Sequence, residues 1–246
     1  MNQKIKQISF YFIALFLGMQ SAFALLPSAN IFGKISGQDG QKSVTICSDS
    51  ITYDHAQHTV TYKGNVTVLQ IQGVAIQCQA GGGAFPELLS KKLPNTVLWV
   101  SGKSGDYSEI SLKELAGAKK LCKAQDGCRF ISGQKLIINL NPKTNKVSQI
   151  KMTVNDEKEN AIYYSWPKKE KGKSQKNNEV LALGESLQYL TEKHLLEVEG
   201  HAKITQGENN FSGEKVTYDT KSKFISVPNT GGRSTMVIDN GVLEGK

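Results

Sequence analysis

Long apolar runs are missing from the sequence beyond its first 26 residues. A membrane-spanning helix needs about 20 consecutive apolar residues, so the rest of the chain is not expected to cross a bilayer as a helix. Proline is scarce, with 6 residues against 23 glycines. The pattern G-x-x-x-x-G-K-[ST] of phosphate-binding loops is absent, and no nucleophile is arranged with a general base. The sequence therefore argues against a helical membrane protein, a nucleotide hydrolase and a hydrolase of the Ser-His type.

The first 24 residues have the pattern of a cleavable secretory signal peptide. Lys4 and Lys6 precede an apolar run from Ile8 to Leu17, and the small-residue pattern Ala22-Phe23-Ala24 follows. This order is typical of signal peptides. An uncleaved anchor is the alternative, but polar residues and glycine interrupt the run before it is long enough to span a bilayer. We therefore expect cleavage after Ala24 and a single mature domain, residues 25–246, in the periplasm.

The four cysteines, Cys47, Cys78, Cys122 and Cys128, form an even set. In an exported protein such a set predicts disulfides, because the periplasm is oxidising. We favour Cys47 with Cys78 and Cys122 with Cys128, and a pairing of Cys78 with Cys128 stays open. A zinc site is the rival interpretation, but no C-x-x-C pair is present and the histidines are remote in sequence from the cysteines. We expect no metal, no cofactor and no catalytic residue.

Basic residues are in excess, and the formal net charge of +8 falls to +6 once Lys4 and Lys6 leave with the signal peptide. A basic surface suits a partner that carries phosphates or carboxylates. For an exported protein we expect no nucleic acid among such partners, which leaves anionic lipids and lipopolysaccharide. The charge also fits a simpler role, in which it keeps a β protein with open edges soluble.

Four internal repeats organise the sequence, and their copies begin at Ile46, Ile131, Ala182 and Phe211. In each copy an Asp, Glu or Gln is followed at plus two and plus four by apolar or aromatic residues. Strict alternation places those two residues on one face of a strand. A short polar turn follows each copy, and a second strand then begins. Repeated strand-turn-strand units of this kind predict an all-β domain.

Glycine recurs at one place in two of these units, as Gly64 within Lys63–Gln70 and as Gly200 within Glu199–Gln206. A glycine inside a strand commonly marks a β-bulge or a bend. We therefore predict a bulge or a bend of the sheet at both glycines.

These units resemble the OstA-like domain family. The resemblance is carried by Asp49-x-Ile51-x-Tyr53-Asp54 with the strand that follows it, and by the second appearance of the pattern in Glu185–Tyr189 and Leu196–Asn209. It covers about 44–80 and 130–240, and an insertion at about 81–129 interrupts it. The resemblance implies a twisted, incompletely closed antiparallel β-jellyroll, or β-taco, with an apolar groove between its walls.

The resemblance also implies a function, which is to bind lipopolysaccharide and pass it from the inner-membrane to the outer-membrane machinery. Alternation along the strands gathers the side chains that would line the groove on one face. The residues expected to bind lipid are Ile51, Tyr53, Val60, Tyr62, Val66, Val68, Ile138, Leu187, Tyr189, Leu196, Val198, Ile204, Phe211, Val216 and Tyr218. From the residues alone, the same stripe is also typical of an ordinary closed sandwich core.

Partners are implied at both edges of such a sheet, where a strand of another protein can be added. An LptC-like protein is expected at the N-terminal edge, around 44–53, and an LptD-like protein at the C-terminal edge, around 224–238. Head-to-tail self-association is expected on the same grounds, because such an interface does not close on itself. The alternatives are an LptC-like member of the family, a periplasmic scaffold without lipid cargo, and a carbohydrate-active enzyme that uses Glu185 or Glu214.

Overall fold

The computed structural model describes residues 42–72, 75–80, 87–88, 96–101, 107–124, 127–167, 179–229 and 234–237. The expected signal peptide, residues 1–24, and parts of the expected insertion at 81–129 lie outside these ranges. The strands are β1 (Lys42–Cys47), β2 (Ser50–Asp54), β3 (Thr59–Gln72), β4 (Ala75–Ala80), β5 (Glu87–Leu88), β6 (Thr96–Ser101), β7 (Cys128–Leu140), β8 (Val147–Thr153), β9 (Ala161–Trp166), β10 (Val180–Gly184), β11 (Ser186–Leu190), β12 (Leu195–Gln206), β13 (Asn209–Asp219), β14 (Ile225–Ser226) and β15 (Thr235–Val237), and the helix α1 is Tyr107–Ala124. In the ranges described, no helix has the length and apolar character needed to span a membrane.

Twelve strands form one antiparallel sheet, in which each of four long strands pairs with two short strands along its length. Strands β1 and β2 both pair with β3, β8 and β9 with β7, β10 and β11 with β12, and β14 and β15 with β13. The all-β prediction is confirmed for this sheet. A second sheet of β4, β6 and β5 differs from the expected antiparallel pattern, because β4 and β6 run parallel.

The sheet bends along a line of glycines, which divides it into two walls. The register shifts between Lys63 and Val66 in β3, and between Glu199 and Ala202 in β12. Gly64 and Gly200 adopt φ values of +79° and +73°, which only glycine takes without a steric cost. The bulges predicted at these glycines are confirmed. We call the part with β1, β9, β10 and β15 the upper wall, and the part with β2, β8, β11 and β14 the lower wall.

Short polar turns join the strands at the far end of the lower wall, as the repeats predict. Asp54, Asn141 and Asp219 each accept hydrogen bonds from backbone N–H groups two or three residues further on. The turns end in residues with positive φ, which are His58, Asn145, His194 and Lys223. Hydrogen bonding by the Asp and Asn side chains thus fixes the positions at which the chain reverses.

Helix α1 covers the outer face of the upper wall. Its Leu115, Ala118 and Leu121 belong to an apolar cluster that includes Phe130 of β7 and Tyr164 of β9. The helix begins at Tyr107 and ends at Ala124. The part of the upper wall beneath α1 is therefore buried on both faces, and in β3 every residue from Asn65 to Ile71 is buried.

Two disulfides and one buried carboxylate attach this outer layer. The structure joins Cys47 to Cys78 and Cys122 to Cys128, the pairing that the sequence favoured. Glu114 of α1 is only 3% exposed, and its Oε2 accepts hydrogen bonds from the hydroxyl groups of Thr67 at 2.9 Å and Ser132 at 3.1 Å. The helix is therefore held by polar contacts as well as by its apolar face.

A candidate binding interior between the two walls

The inner faces of both walls form a single apolar interior. Because side chains alternate along each strand, every second residue of the long strands faces inward. Twelve of the residues expected to bind lipid belong to this cluster, each 5% exposed or less: Val60, Tyr62, Val66, Val68, Ile138, Leu187, Tyr189, Leu196, Val198, Ile204, Val216 and Tyr218. Phe211 packs against them and is partly buried. These side chains pack against one another. A ligand that enters the interior would therefore have to displace contacts between them.

Two of the residues expected to bind lipid, Ile51 and Tyr53, are not buried in this cluster. They lie opposite Tyr62 and Val60 in the register, which places them on the inner face. They are nevertheless 58% and 48% exposed. The reason is that β2 lies at the edge of the sheet and pairs, within the described ranges, only with β3. Ile51 and Tyr53 are therefore an exposed rim of the interior and not part of its buried lining.

The opposite edge has a similar rim. Met236 of β15 lies opposite Phe211, on the same inner face, and is 56% exposed. Strands β14 and β15 pair only with β13 among the strands that the structure describes. Exposed apolar side chains on an edge strand are uncommon in soluble proteins, because such edges invite association. Both edges of the inner face thus present apolar groups to the surroundings.

Tyrosines are the polar groups buried deepest in the lower wall. Burial raises the pKa of Tyr62, Tyr189 and Tyr218 above the usual value for a phenol. The positive charge of Arg129, which belongs to the upper wall, acts in the opposite direction on the pKa of Tyr189 and Tyr218. Residues of both walls also belong to one packed cluster, so the inner faces of the two walls lie close to each other.

Sequence reasoning missed a polar row on the inner face of the upper wall. Gln70, Arg129 and Ser165 are neighbours in the register of β3, β7 and β9, and they have the inward orientation of Val68 and Ile131. The row continues through Val180 to Gln206 and Asn209. The alternation of β3 contains the signal, because Gln70 falls two and four residues after the inward Val68 and Val66.

Comparisons with known proteins find a similarity over part of the chain. Residues 123–224 match the family described as "LptA/(LptD N-terminal domain) LPS transport protein". No curated protein matches the chain. The crystal structure of LptH, the LptA homologous periplasmic component of the lipopolysaccharide transport device from Pseudomonas aeruginosa, aligns with a TM-score of 0.47 and 17% identity over 82% of this chain and 98% of that one. The matched segment, residues 123–224, contains β7 to β13, so the similarity to this family of lipopolysaccharide transport proteins lies in those strands.

Proposed function

We propose that this protein is a periplasmic carrier that holds the acyl chains of lipopolysaccharide between its two walls and passes the lipid on towards the outer membrane. The observation that supports this proposal best is the inner face itself. It is mainly apolar in both walls, and it ends at each edge in exposed apolar residues, Ile51 and Tyr53 on one side and Met236 on the other. A closed sandwich core would cover these rims.

The energetics of such an interior suit a passive carrier. Burying one CH₂ group of an acyl chain contributes on the order of 0.8 kcal/mol. Part of that gain is offset, because the acyl chain displaces side-chain contacts between the walls. Transfer to a like interior in a neighbouring protein then occurs between states of similar free energy. A partner would have to supply the work, in agreement with the absence of a phosphate-binding loop motif from the sequence.

Open edges provide the means of joining the carrier to its neighbours. Strand β2 is exposed along its whole length, and we propose that it receives a strand of an LptC-like protein. The opposite edge, at β14 and β15, would receive an LptD-like protein or a second copy of this chain. In this arrangement, which corresponds to an incompletely closed β-jellyroll, the inner faces of successive domains form one continuous apolar path.

Photocrosslinking tests the lipid-carrying role directly. A benzophenone amino acid in place of Val68 or Ile204, both inside the cluster, is expected to capture lipopolysaccharide in cells. The same group in place of Lys221, an exposed turn residue, serves as the matched control and is expected to capture none. Equal capture at the inner and outer positions would contradict the proposal. If the purified protein contained no lipid and neither inner position captured any, the alternative of a periplasmic scaffold without lipid cargo would be favoured.

The edge proposal has its own test. A photocrosslinker at Ile51 is expected to yield an adduct with a membrane-anchored partner, and one at Met236 an adduct with an outer-membrane partner or a second copy. Lys203 is a suitable control, because it is exposed but lies on β12 in the middle of the sheet. The assignment of edges to partners would be wrong if the Ile51 and Met236 adducts contained the same partner.

A further inference from the structure

The polar row of the upper wall stands beside rows that are almost wholly apolar. Its inward residues are Val44, Gln70, Arg129, Ser165, Val180, Gln206 and Asn209. The next inward row consists of Ile46, Val68, Ile131, Tyr163, Ala182, Ile204 and Phe211. The interior is therefore amphiphilic along the strand direction, with polar groups gathered at the end remote from the turns.

Gln70 is the residue of this row that is hardest to explain by folding alone. It is 1% exposed, and neither its side-chain oxygen nor its side-chain nitrogen has a hydrogen-bond partner in the described part of the chain. The side-chain oxygen of Asn209, in the same row, is also buried without a hydrogen-bond partner in the described part of the chain. A buried amide without partners destabilises a protein by roughly 1–3 kcal/mol. A bound molecule with hydrogen-bonding oxygens would remove this cost.

Arg129 supplies the charge that such a molecule would need. It lies directly opposite Gln70 in the register of β3 and β7, with its side chain on the same face. Its field reaches the phenols of Tyr189 and Tyr218 in the opposite wall, so the positive charge acts within the interior and not only at the surface. Guanidinium groups bind phosphate with two parallel hydrogen bonds.

We propose that Gln70 and Arg129 form a subsite for a phosphate group of an acylated sugar, whose acyl chains lie along the neighbouring apolar rows. The inference rests on the proposed lipid-carrying function and adds to it a fixed orientation of the cargo. The phosphate end lies at the polar row of the upper wall, and the acyl chains point towards the lower wall. Arg129 provides the charge, and the Gln70 amide donates to a phosphate oxygen.

Binding of two forms of lipid A tests the subsite, with the mature protein and with three variants. The probes are lipid A with both phosphates, the same lipid after enzymatic dephosphorylation, and inorganic phosphate alone. Wild-type protein is expected to bind the phosphorylated form at least tenfold more tightly than the dephosphorylated form. Gln70→Leu and Arg129→Met are each expected to lower this ratio at least threefold. Lys151→Met, which removes a cation from the outer face, is the matched control and is expected to keep the ratio.

Folding of the variants is followed in parallel, because a misfolded variant would also lose the ratio. Gln70→Leu replaces an amide without partners by an apolar side chain of similar size, so its melting temperature is expected to equal or exceed that of the wild type. Equal affinity of wild type for both lipid forms, or an unchanged ratio in both variants, would overturn the subsite while leaving the carrier function intact. Failure of both lipids to bind wild type would overturn both proposals. Inorganic phosphate binding as tightly as lipid A would overturn the assignment to a lipid.

Discussion

The carboxylate of Glu185 lies over Gly200, in the space that a Cβ atom of residue 200 would fill. The Glu185 N–H donates to the carbonyl of Gly200 at 3.2 Å, and Oε1 of Glu185 is 2.9 Å from Nδ1 of His201. The first repeat has the same arrangement, with the side chain of Asp49 over Gly64. The polar residue that marks each of these repeats thus packs into the bend between the walls.

Substitution of Gly200 by alanine is expected to weaken the bend. Alanine at φ +73° is strained, and its Cβ would overlap the Glu185 carboxyl group. We expect Gly200→Ala to lower the free energy of unfolding by on the order of 2 kcal/mol, measured by urea denaturation. The double variant Glu185→Ala/Gly200→Ala removes the overlap but keeps the φ strain. Its loss in free energy of unfolding should therefore be smaller than the sum of the losses in the two single variants. Wild-type stability of Gly200→Ala would contradict this account.

The two disulfides are expected to differ in what they contribute. Their sequence separations are 31 residues for Cys47–Cys78 and 6 residues for Cys122–Cys128. Loop-closure entropy then predicts contributions of about 3.7 kcal/mol and about 2.2 kcal/mol, respectively. Paired Cys→Ser variants, compared by denaturation under oxidising conditions, measure the difference. A larger loss for the shorter loop would mean that chain entropy does not decide the order.

The features that the sequence could predict are those determined locally. Alternation with period two identifies which face of a strand is apolar, and glycine within a strand identifies a bulge, so the inner residues and the bends at Gly64 and Gly200 were predictable. The exposure of Ile51 and Tyr53 does not follow from alternation, because it depends on β2 being the outermost strand, which only the family resemblance implied. Pairing order is a property of the whole sheet, which the pattern of one strand does not contain.

The outer layer shows a second limit of local reasoning. Leu69 of β3 and Phe130 of β7 face outward and are fully buried beneath α1. Apolar residues on both faces predict a strand covered on both sides, but they do not say what covers it. The insertion provides the cover, and its pattern is outside the repeats. Gln70 was likewise overlooked, because a polar residue near a strand end is ordinarily assigned to the surface.

Removal of the Glu114 carboxylate is expected to loosen α1. In Glu114→Ala, the buried hydroxyl groups of Thr67 and Ser132 lose the acceptor that they share. We expect a loss of roughly 2–3 kcal/mol in the free energy of unfolding. Leu112→Ala is the matched control, since Leu112 lies on the same helix but is 67% exposed, and its effect should stay within about 0.5 kcal/mol. Similar losses in the two variants would show that the helix contributes through propensity alone.

High pH is expected to separate the walls, because phenols are buried in the interior. Unfolded tyrosine has a pKa of about 10, whereas burial raises the pKa of Tyr189 and Tyr218 in the folded protein. Their contribution to stability is therefore complete below about pH 10, and it is lost as the pH rises towards the folded-state pKa. Above about pH 10 the free energy of unfolding should fall by up to roughly 1.4 kcal/mol per pH unit for each phenol. The pKa of Lys215 is raised by its hydrogen bond to Glu199, so deprotonation of Lys215 at high pH also lowers the free energy of unfolding.

The variant Tyr189→Phe/Tyr218→Phe isolates the contribution of the phenols. It keeps Lys215, so the difference in slope between wild type and variant, measured by urea denaturation from pH 9 to 11.5, belongs to the two hydroxyl groups. The difference in absorbance at about 295 nm between wild type and variant reports the ionisation of these two phenols, and it should rise together with unfolding of the wild type. Since the folded interior admits these phenols only in the neutral form, the slope should be shallower in the variant. Ionisation that precedes unfolding, with equal slopes in both proteins, would mean that water already reaches the space between the walls.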